Sequence, residues 1–304
     1  MESGDKSMLV FAAPGQGSQS EGFLRPWLEA APQLADQLER LSKACGRDLV
    51  DLGTSASEEQ IRQTDNAQRL IVGSAIAIYR QFFDGKAEAM VGHSVGEFAA
   101  AALAGIISDE DAMRLVAARA DAMARAAAKE PTTMAAVLGG DAEAVLDVIS
   151  AHGLFAANYN GAGQIVAAGS REKMANLVAN PPEKSRVIEL KVAGAFHTPF
   201  MEEAVAELSE LATSITVAEP KIPIWTNFDG TMVQSGAVYL EHMVQQTARP
   251  VRWDLCMEQL NHGAATVIEL PPAGALAGLI KRGAPAASAL ALKTPVDTAK
   301  VDEL

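Results

Sequence analysis

The sequence predicts an α/β fold with two parts: a large domain built on a mostly parallel sheet, and a small ferredoxin-like subdomain inserted into it. Apolar runs alternate with helical patterns and end at glycine-rich turns, as strand–helix units do. Residues 133–192 instead predict the order β-α-β-β-α-β, which is typical of a ferredoxin-like unit. At 304 residues the chain is long enough for one large domain with an insert. We therefore expect residues 1–130 and 194–304 to form the large domain and residues 131–193 the small one.

The large domain is predicted to begin with a buried strand at residues 8–13, an apolar run that precedes a glycine-rich loop. A second strand at residues 89–91 is followed by a helix rich in strong helix formers. Ser108 predicts the start of another helix because Asp111 follows at the position of a capping box. The other predicted elements are helices at 27–44 and 68–83, strands at 222–225 and 266–270, and a final helix after Pro271-Pro272-Ala273-Gly274.

The small subdomain is predicted from four short apolar runs and two helical patterns. A turn at residues 160–163 separates the second run from the third. The predicted strands are 134–138, 154–158, 164–168 and 186–192, and the predicted helices are 141–150 and 170–178.

Composition and charge exclude several function classes. The net charge of −13 argues against a nucleic-acid partner, which demands a basic surface. No run reaches the roughly 18 apolar residues that a membrane span needs. Residues 1–6 contain no basic segment followed by an apolar run, so we expect a cytoplasmic protein. Cys45 and Cys256 have neither metal-site nor redox spacing, so we expect reduced thiols and no metal.

The motif Gly92-His93-Ser94-Val95-Gly96 is the most informative feature of the chain. An apolar strand precedes it and a helix follows, so Ser94 is predicted on a sharp turn where glycine lets the backbone fold tightly. Its hydroxyl would be exposed beside backbone N–H groups at a helix N-terminus, where negative charge is stabilised. This layout suits an activated nucleophile and gives the large domain its predicted α/β-hydrolase-like character. The alternative is a glycine-rich turn whose serine has no catalytic role.

A serine nucleophile needs a general base, and His197 is the best candidate among the five histidines. It lies between a predicted strand and a helix, where α/β enzymes collect site residues. His93 is adjacent to Ser94, so its side chain is expected to point away from the hydroxyl. The remaining histidines lie near predicted helix ends or in polar stretches: His152, His242 and His262. The alternative for His197 is a buried histidine bonded to the backbone.

Arg119 is predicted on the apolar face of the helix that begins at Ser108. That face is formed by Ala112, Val116, Ala120 and Met123. An inward-facing arginine needs an anionic partner because an unpaired buried charge is very unfavourable. A guanidinium binds a carboxylate through two parallel hydrogen bonds. Two partners remain open: an internal aspartate or glutamate, or the carboxylate of a substrate.

The motifs together resemble one known family. With Gly15-Gln16-Gly17-Ser18-Gln19, the Ser94 turn followed by Glu97, Arg119 and Gly194-Ala195-Phe196-His197 in this order, the chain resembles the malonyl-CoA:acyl-carrier-protein transacylases of bacterial type II fatty acid synthesis. The similarity covers nearly the whole chain, and several stretches look closest to the actinobacterial branch. It implies malonyl transfer from malonyl-CoA to the phosphopantetheine thiol of acyl carrier protein, without metal or redox cofactor. We expect a monomer.

The resemblance also implies roles for individual residues. Ser94 would be the acylated nucleophile, His197 its base, and Arg119 the group that binds the malonyl carboxylate. The other implied roles are backbone N–H groups of Gln16 and Val95 in an oxyanion hole, Gln68 lining the site, Asn160 near the histidine, Phe196 opposing an α-methyl branch on the acyl group, and a backbone carbonyl near Arg252 that orients the histidine.

The chain departs from the family pattern beside Gln68. Arg69 stands where proline is usual and Ala67 where threonine is common, which predicts an altered loop around the glutamine. Val95 replaces a frequent leucine and Phe98 a frequent tyrosine, and both of these changes are mild.

Three other functions remain open from the sequence. A serine thioesterase or other hydrolase would use the same turn, but it usually places its histidine near the C-terminus after an acidic residue. A trans-acting acyltransferase of a polyketide assembly line would share all of these residues. A non-catalytic docking module would not need the intact serine, histidine and arginine. Because carrier proteins in such systems are acidic, we expect a local basic patch near the site.

Overall fold

The computed structural model describes residues 7–304 of the chain. Residues 1–6, which carry the expectation about a secretory signal and begin the predicted large domain, lie outside the described residues. None of the helices within residues 7–304 combines the length and the apolarity that a membrane crossing requires.

The larger sheet has five strands, and each neighbouring pair is parallel. Its strands, in chain order, are β1 (Leu9–Ala13), β2 (Ala89–Gly92), β7 (Ile224–Trp225), β8 (Thr266–Glu269) and β9 (Ser288–Ala291). They lie side by side in the order β7-β2-β1-β8-β9, so β1 is central. Every residue of β2 is buried, as expected of a parallel strand covered by helices on both faces. The predicted parallel sheet is therefore confirmed.

The smaller sheet has four antiparallel strands in the order β4-β5-β3-β6. These strands are β3 (Thr132–Gly139), β4 (Phe155–Gly161), β5 (Gln164–Ser170) and β6 (Ser185–Glu189). All four fall between residues 131 and 193, and the strands of the larger sheet fall outside that range. With their two helices, the observed order is β-α-β-β-α-β, as the sequence predicts.

Helices pack against both sheets. They are α1 (Arg25–Ala30), α2 (Leu34–Cys45), α3 (Leu49–Thr54), α4 (Glu58–Arg62), α5 (Thr64–Phe82), α6 (Gly96–Leu103), α7 (Asp109–Ala127), α8 (Ala142–Ala151), α9 (Arg171–Ala179), α10 (Glu202–Ala212), α11 (Gly236–Gln245), α12 (Trp253–His262), α13 (Ala275–Gly283) and α14 (Thr298–Asp302). Helix α6, the helix after the Ser94 turn, is buried along its whole length. Its alanines let neighbouring elements approach closely, which fixes where the turn lies.

Several predicted boundaries are wrong for identifiable reasons. The single helix expected at residues 27–44 is two helices, because Pro32 has no backbone N–H and lies between α1 and α2. The last strand of the small sheet ends at Glu189 rather than at residue 192. The N–H of Val192 donates to the carbonyl of Leu190, so the chain turns away from the sheet there. The strand expected at residues 222–225 is reduced to β7, and the sequence did not predict β9, α3 or α4.

Candidate active site

Ser94 lies in the turn between β2 and α6, with a φ of +53° that is unusual for a residue with a side chain. The glycines on either side are required by close packing. A Cβ on Gly92 would collide with the backbone of Glu97, and one on Gly96 would collide with the carbonyl group of Ala13. The predicted sharp strand-to-helix turn is confirmed, and the left-handed backbone at Ser94 is the geometry of a nucleophile elbow.

The hydroxyl of Ser94 lies within hydrogen-bond distance of the imidazole of His197, the predicted base. Ser94 Oγ lies 2.7 Å from His197 Nε2, and His197 Nδ1 lies 2.8 Å from the carbonyl oxygen of Gln246. Because a carbonyl can only accept, Nδ1 carries the hydrogen and Nε2 is free to accept the serine proton. Burial, with a contribution from the positive charge of Arg119, lowers the pKa of His197 to about 3. The imidazole is thus neutral at physiological pH and ready to act as a base.

The carbonyl that orients His197 belongs to Gln246, and the prediction that placed it near Arg252 is wrong. Gln246 begins a short 3₁₀ helix, Gln246–Ala248, that carries its carbonyl toward the imidazole. Arg252 lies beyond this turn at the start of α12. Its guanidinium pairs with Asp254 and lies 4.8 Å from the ring centroid of Tyr159. The sequence could not locate the turn because no glycine or proline marks Gln246.

Asn160 bonds to a different histidine from the one expected. Its Oδ1 lies 3.0 Å from Nε2 of His93, which points away from the serine hydroxyl as predicted. The ring of His93 also packs edge-on against Trp253, with centroids 5.4 Å apart. Burial lowers the pKa of His93, so this imidazole is neutral as well. Asn160 therefore fixes the wall of the site beside Ser94 rather than the base itself.

A cavity of about 230 Å³ opens above the Ser94–His197 pair. Gln16, in the loop after β1, lines this cavity together with Ser94 and His197. Within residues 7–304, the backbone N–H groups of Gln16 and Val95 have no hydrogen-bond acceptor. Two free N–H groups next to an attacked carbonyl are what an oxyanion hole requires.

Phe196 forms part of the apolar wall of the same cavity and is 5% exposed. The small sheet and the chain after it supply the facing apolar side chains: Met134, Val166, Leu190 and Val192. The cavity is thus lined by residues of both parts of the chain, with polar and apolar side chains from each.

Arg119 is almost fully buried, at 1% exposure, and is only partly paired. Its Nη1 donates to Oε1 of Gln68 over 2.6 Å, and its guanidinium carbon lies 5.7 Å from the ring centroid of Phe98. Its Nε and Nη2 have no partner among residues 7–304, and none of the described carboxylates lies within salt-bridge distance. The alternative of an internal ion pair is therefore wrong. Burial lowers the pKa of Arg119 to about 10, so the group is charged at neutral pH.

The stretch around Gln68 is helical, because α5 begins at Thr64 and runs through it. The altered loop predicted from Ala67 and Arg69 is therefore not present. Arg69 is buried against α2 and α7, where Nε donates to the carbonyl of Cys45 over 3.0 Å and Nη2 to Asp121 over 2.7 Å. The arginine thus fastens the helix that carries Gln68 to the helix that carries Arg119.

Three buried polar residues behind Ser94 were missed by sequence reasoning: Glu97, Asn227 and Gln246. Glu97 follows the serine motif directly, which is a weak signal. Asn227 and Gln246 come from segments far along the chain and lie in stretches without a recognisable pattern. Only the fold brings them together.

The chain is similar to known acyl transferases in both sequence and structure. The sequence profile of the family described as acyl transferase domain matches residues 10–301. A malonyl CoA-acyl carrier protein transacylase of Mycobacterium tuberculosis (strain ATCC 25618 / H37Rv) is 46% identical over 303 residues, which cover 98% of this chain and 99% of the relative.

Two solved structures extend the comparison. The crystal structure of MCAT from Mycobacterium tuberculosis superposes with a TM-score of 0.92 at 45% identity, over 97% of this chain and 99% of that one. A malonyl-transacylase in complex with its type II PKS acyl-carrier protein superposes with a TM-score of 0.91 at 27% identity, over 98% and 99% of the two chains.

Proposed function

The chain belongs to the acyl transferase domain family, and on that premise we propose that it moves a malonyl group from malonyl-CoA to an acyl carrier protein through an ester on Ser94. The observation that carries the proposal is the combination of the Ser94–His197 hydrogen bond with a buried Arg119 whose Nε and Nη2 are unpaired among residues 7–304. A serine and a neutral imidazole suit acyl transfer. A buried cation with unpaired N–H groups suits an acyl group that ends in a carboxylate.

The first half-reaction loads the serine. His197 Nε2 takes the hydroxyl proton while Ser94 Oγ attacks the thioester carbonyl of malonyl-CoA. The new oxyanion accepts hydrogen bonds from the N–H groups of Gln16 and Val95. As the carbonyl re-forms, the carbon–sulfur bond breaks and the proton on His197 passes to the sulfur of CoA. Ser94 is left as a malonyl ester.

The second half-reaction unloads it by the same steps in reverse. His197 takes the proton from the phosphopantetheine thiol of the carrier protein, and the sulfur attacks the ester carbonyl. The carbon–Oγ bond breaks, and the proton on His197 returns to Ser94. The hydrogen bond from Nδ1 to the carbonyl of Gln246 keeps the imidazole in place in both half-reactions and leaves Nε2 as the atom that takes and returns the proton.

Arg119 selects the acyl group. Its Nε and Nη2 share one edge of the guanidinium, so they can donate two parallel hydrogen bonds to the free carboxylate of malonate. Gln68 holds Nη1 and so orients the guanidinium. Fixing the far end of the acyl group places its carbonyl over Ser94, where a thiol rather than water completes the reaction.

The acidic carrier protein would meet a basic surface near the cavity. Helix α13 supports this part of the proposal, since Leu276 and Leu279 line the cavity and the exposed Lys281 and Arg282 follow on the same helix. This short basic stretch stands out against the net charge of −13.

Service to a polyketide assembly line is a second candidate, because a structural relative is a transacylase bound to a type II PKS carrier protein. Both roles use the same chemistry and differ only in the carrier.

We further propose that the protein is a cytoplasmic monomer, that it needs no cofactor, and that it has no nucleic-acid or membrane partner. We also propose that residues 1–130 and 194–304 form an α/β-hydrolase-like domain and that residues 131–193 form a ferredoxin-like subdomain.

Intact-mass measurement after incubation with a panel of acyl-CoAs tests the proposal. The wild-type protein should gain one malonyl group, and Ser94→Ala should gain none. Ser74→Ala, which removes a buried hydroxyl bonded within α5, should keep the adduct. A malonyl adduct retained in Ser94→Ala would place the nucleophile elsewhere, and hydrolysis without transfer to a carrier would indicate a thioesterase.

A further inference from the structure

Glu97 is a fully buried carboxyl group directly behind Ser94, in the first turn of α6. Within residues 7–304 it has no salt-bridge partner. Its oxygens instead accept hydrogen bonds from amides on two other segments. Oε1 accepts from the backbone N–H of Asn227 over 2.6 Å, and Oε2 accepts from Nε2 of Gln246. A buried carboxyl group is unfavourable unless hydrogen bonds compensate for its lost hydration.

The first contact leads to the serine. Asn227, whose backbone is held by Glu97, accepts the N–H of Ser94 on its Oδ1 over 2.7 Å. Its Nδ2 donates to the carbonyl of Gly92 over 2.6 Å. The Asn227 side chain therefore holds the backbone at two points across the turn in which Ser94 has its positive φ.

The second contact leads to the histidine. Gln246, whose side-chain amide is held by Glu97, uses its own backbone carbonyl to accept from Nδ1 of His197 over 2.8 Å. Nε2 of Gln246, which donates to Glu97, also donates to the carbonyl oxygen of Ser94 over 3.4 Å. His197 itself has a φ of +60°, so the base, like the nucleophile, is held in a strained backbone conformation.

We propose that Glu97 is a positioning residue that orients both members of the reacting pair, Ser94 through Asn227 and His197 through Gln246. The inference rests on the proposed function of that pair. Both oxygens of the Glu97 carboxyl have lone pairs that can accept, in the neutral acid as well as in the carboxylate, and both amides point N–H groups at them. Glutamine in this position would satisfy one amide and present an NH₂ group to the other.

The charged and titratable groups that face Glu97 come from three helices. They are Arg119 on α7, Tyr239 on α11 and Cys256 on α12. Burial raises the pKa of Glu97 to about 8, so the group is mostly neutral at pH 7. A neutral acid can stay beside Ser94 without opposing the oxyanion that forms there.

The test compares Glu97→Gln with a matched buried glutamate. Glu269 is also fully buried, but it accepts the N–H groups of Leu276 and Ala277 at the start of α13. Turnover is divided by the amount of serine that takes up malonyl in the intact-mass assay, so misfolded protein does not count. In Glu97→Gln we expect kcat to fall about tenfold to a hundredfold, with KM for malonyl-CoA within about twofold of wild type. Glu269→Gln should lose stability and keep the wild-type kcat.

A second variant distinguishes a loss of orientation at the site from a loss of folding stability, and it tests the inference if Glu97→Gln folds poorly. Gln246→Ala removes the side-chain amide but leaves the backbone carbonyl that His197 uses. We expect kcat to fall in this variant, and the double variant with Glu97→Gln should be no slower than the slower single variant. Wild-type kcat in either single variant, or losses that multiply in the double one, would overturn the inference. If the wild-type protein forms no malonyl ester at all, it is the proposed function that fails.

Discussion

Arg119 Nη1 donates to Oε1 of Gln68 over 2.6 Å, while Nε and Nη2 of the same guanidinium have no acceptor within residues 7–304. Only part of the guanidinium is therefore hydrogen-bonded within the described part of the protein. A neutral amide accepts from Nη1, and the N–H groups of Nε and Nη2 are left for a ligand. Filling them with a protein carboxylate would have closed the site to an anionic acyl group. The charge of Arg119 reaches His197, and under the proposed function these free N–H groups would bind the carboxylate of the acyl group.

Arg119→Ala should lower kcat/KM for malonyl-CoA about a hundredfold or more, because two charge-assisted hydrogen bonds are lost. Transfer from acetyl-CoA, which has no free carboxylate, should change far less. Arg114→Ala is the control, since this arginine is exposed on the same helix and pairs with Asp111. Equal losses for both substrates would show that Arg119 is structural.

The base should remain active in mild acid. Because burial and the Arg119 charge lower the pKa of His197 to about 3, the imidazole of the free enzyme stays neutral at pH 5.5. Single-turnover acylation by malonyl-CoA should therefore differ by less than about twofold between pH 5.5 and 7.5. An unperturbed histidine would lose about tenfold over this range, and a loss of that size would contradict the assigned environment.

Arg69 should contribute to stability through its contacts with α2 and α7. Arg69→Ala removes a buried cation and leaves the Cys45 carbonyl without its donor, so the free energy of unfolding should fall by about 2 kcal/mol. The partly exposed Asp121 keeps this value modest. Denaturant unfolding measures the change. Arg125→Ala breaks an exposed pair between α7 and Glu207 of α10, and it should change the free energy of unfolding by less than about 0.5 kcal/mol.

Phe196→Ser should widen the acyl pocket. Removing the ring from the cavity wall leaves room for an α-methyl branch, so the ratio of methylmalonyl to malonyl loading should rise by about tenfold or more. Competition between the two CoA esters, followed by intact mass, measures the ratio. Phe200→Ser changes a ring that packs on Phe155 outside this cavity and should leave the ratio unaltered.

Glu97 should make stability depend on pH. Its pKa is about 8 in the folded protein, against an ordinary value of 4.5, so the folded state holds the extra proton between these values. The free energy of unfolding should therefore fall as the pH rises from 4.5 to 8. His197 acts in the opposite direction only below pH 6.5, so the range from 6.5 to 8 is free of its effect, and the comparison with Glu97→Gln separates Glu97 from Glu269, whose pKa burial also raises. Denaturant unfolding of Glu97→Gln across that range should show a smaller slope, and an unchanged slope would refute the raised pKa.

Local sequence patterns predicted the elements that depend on interactions between residues close together in the chain. The serine turn follows from glycines at positions 92 and 96, which only a close strand–helix packing requires. The helix that carries Arg119 follows from its apolar spacing and from the cap at Ser108, whose side chain accepts the N–H of Asp111. Four strands of the larger sheet were predicted from apolar runs and β9 was not, and the interruption at Pro32 was overlooked although the residue is visible in the sequence.

Contacts between segments that are far apart in the chain could not be predicted from the sequence. The sequence by itself determined the α/β class, Ser94 on its turn, His197 as the candidate base and Arg119 as an inward cation, because each depends on a local pattern of residue types. Only the tertiary structure decided that Gln246 rather than a residue near Arg252 orients the histidine, that Asn160 holds His93, and that Glu97 underlies the pair. These hydrogen bonds join segments that meet only when both sheets and their helices are packed, and their short range leaves no periodic trace along the chain.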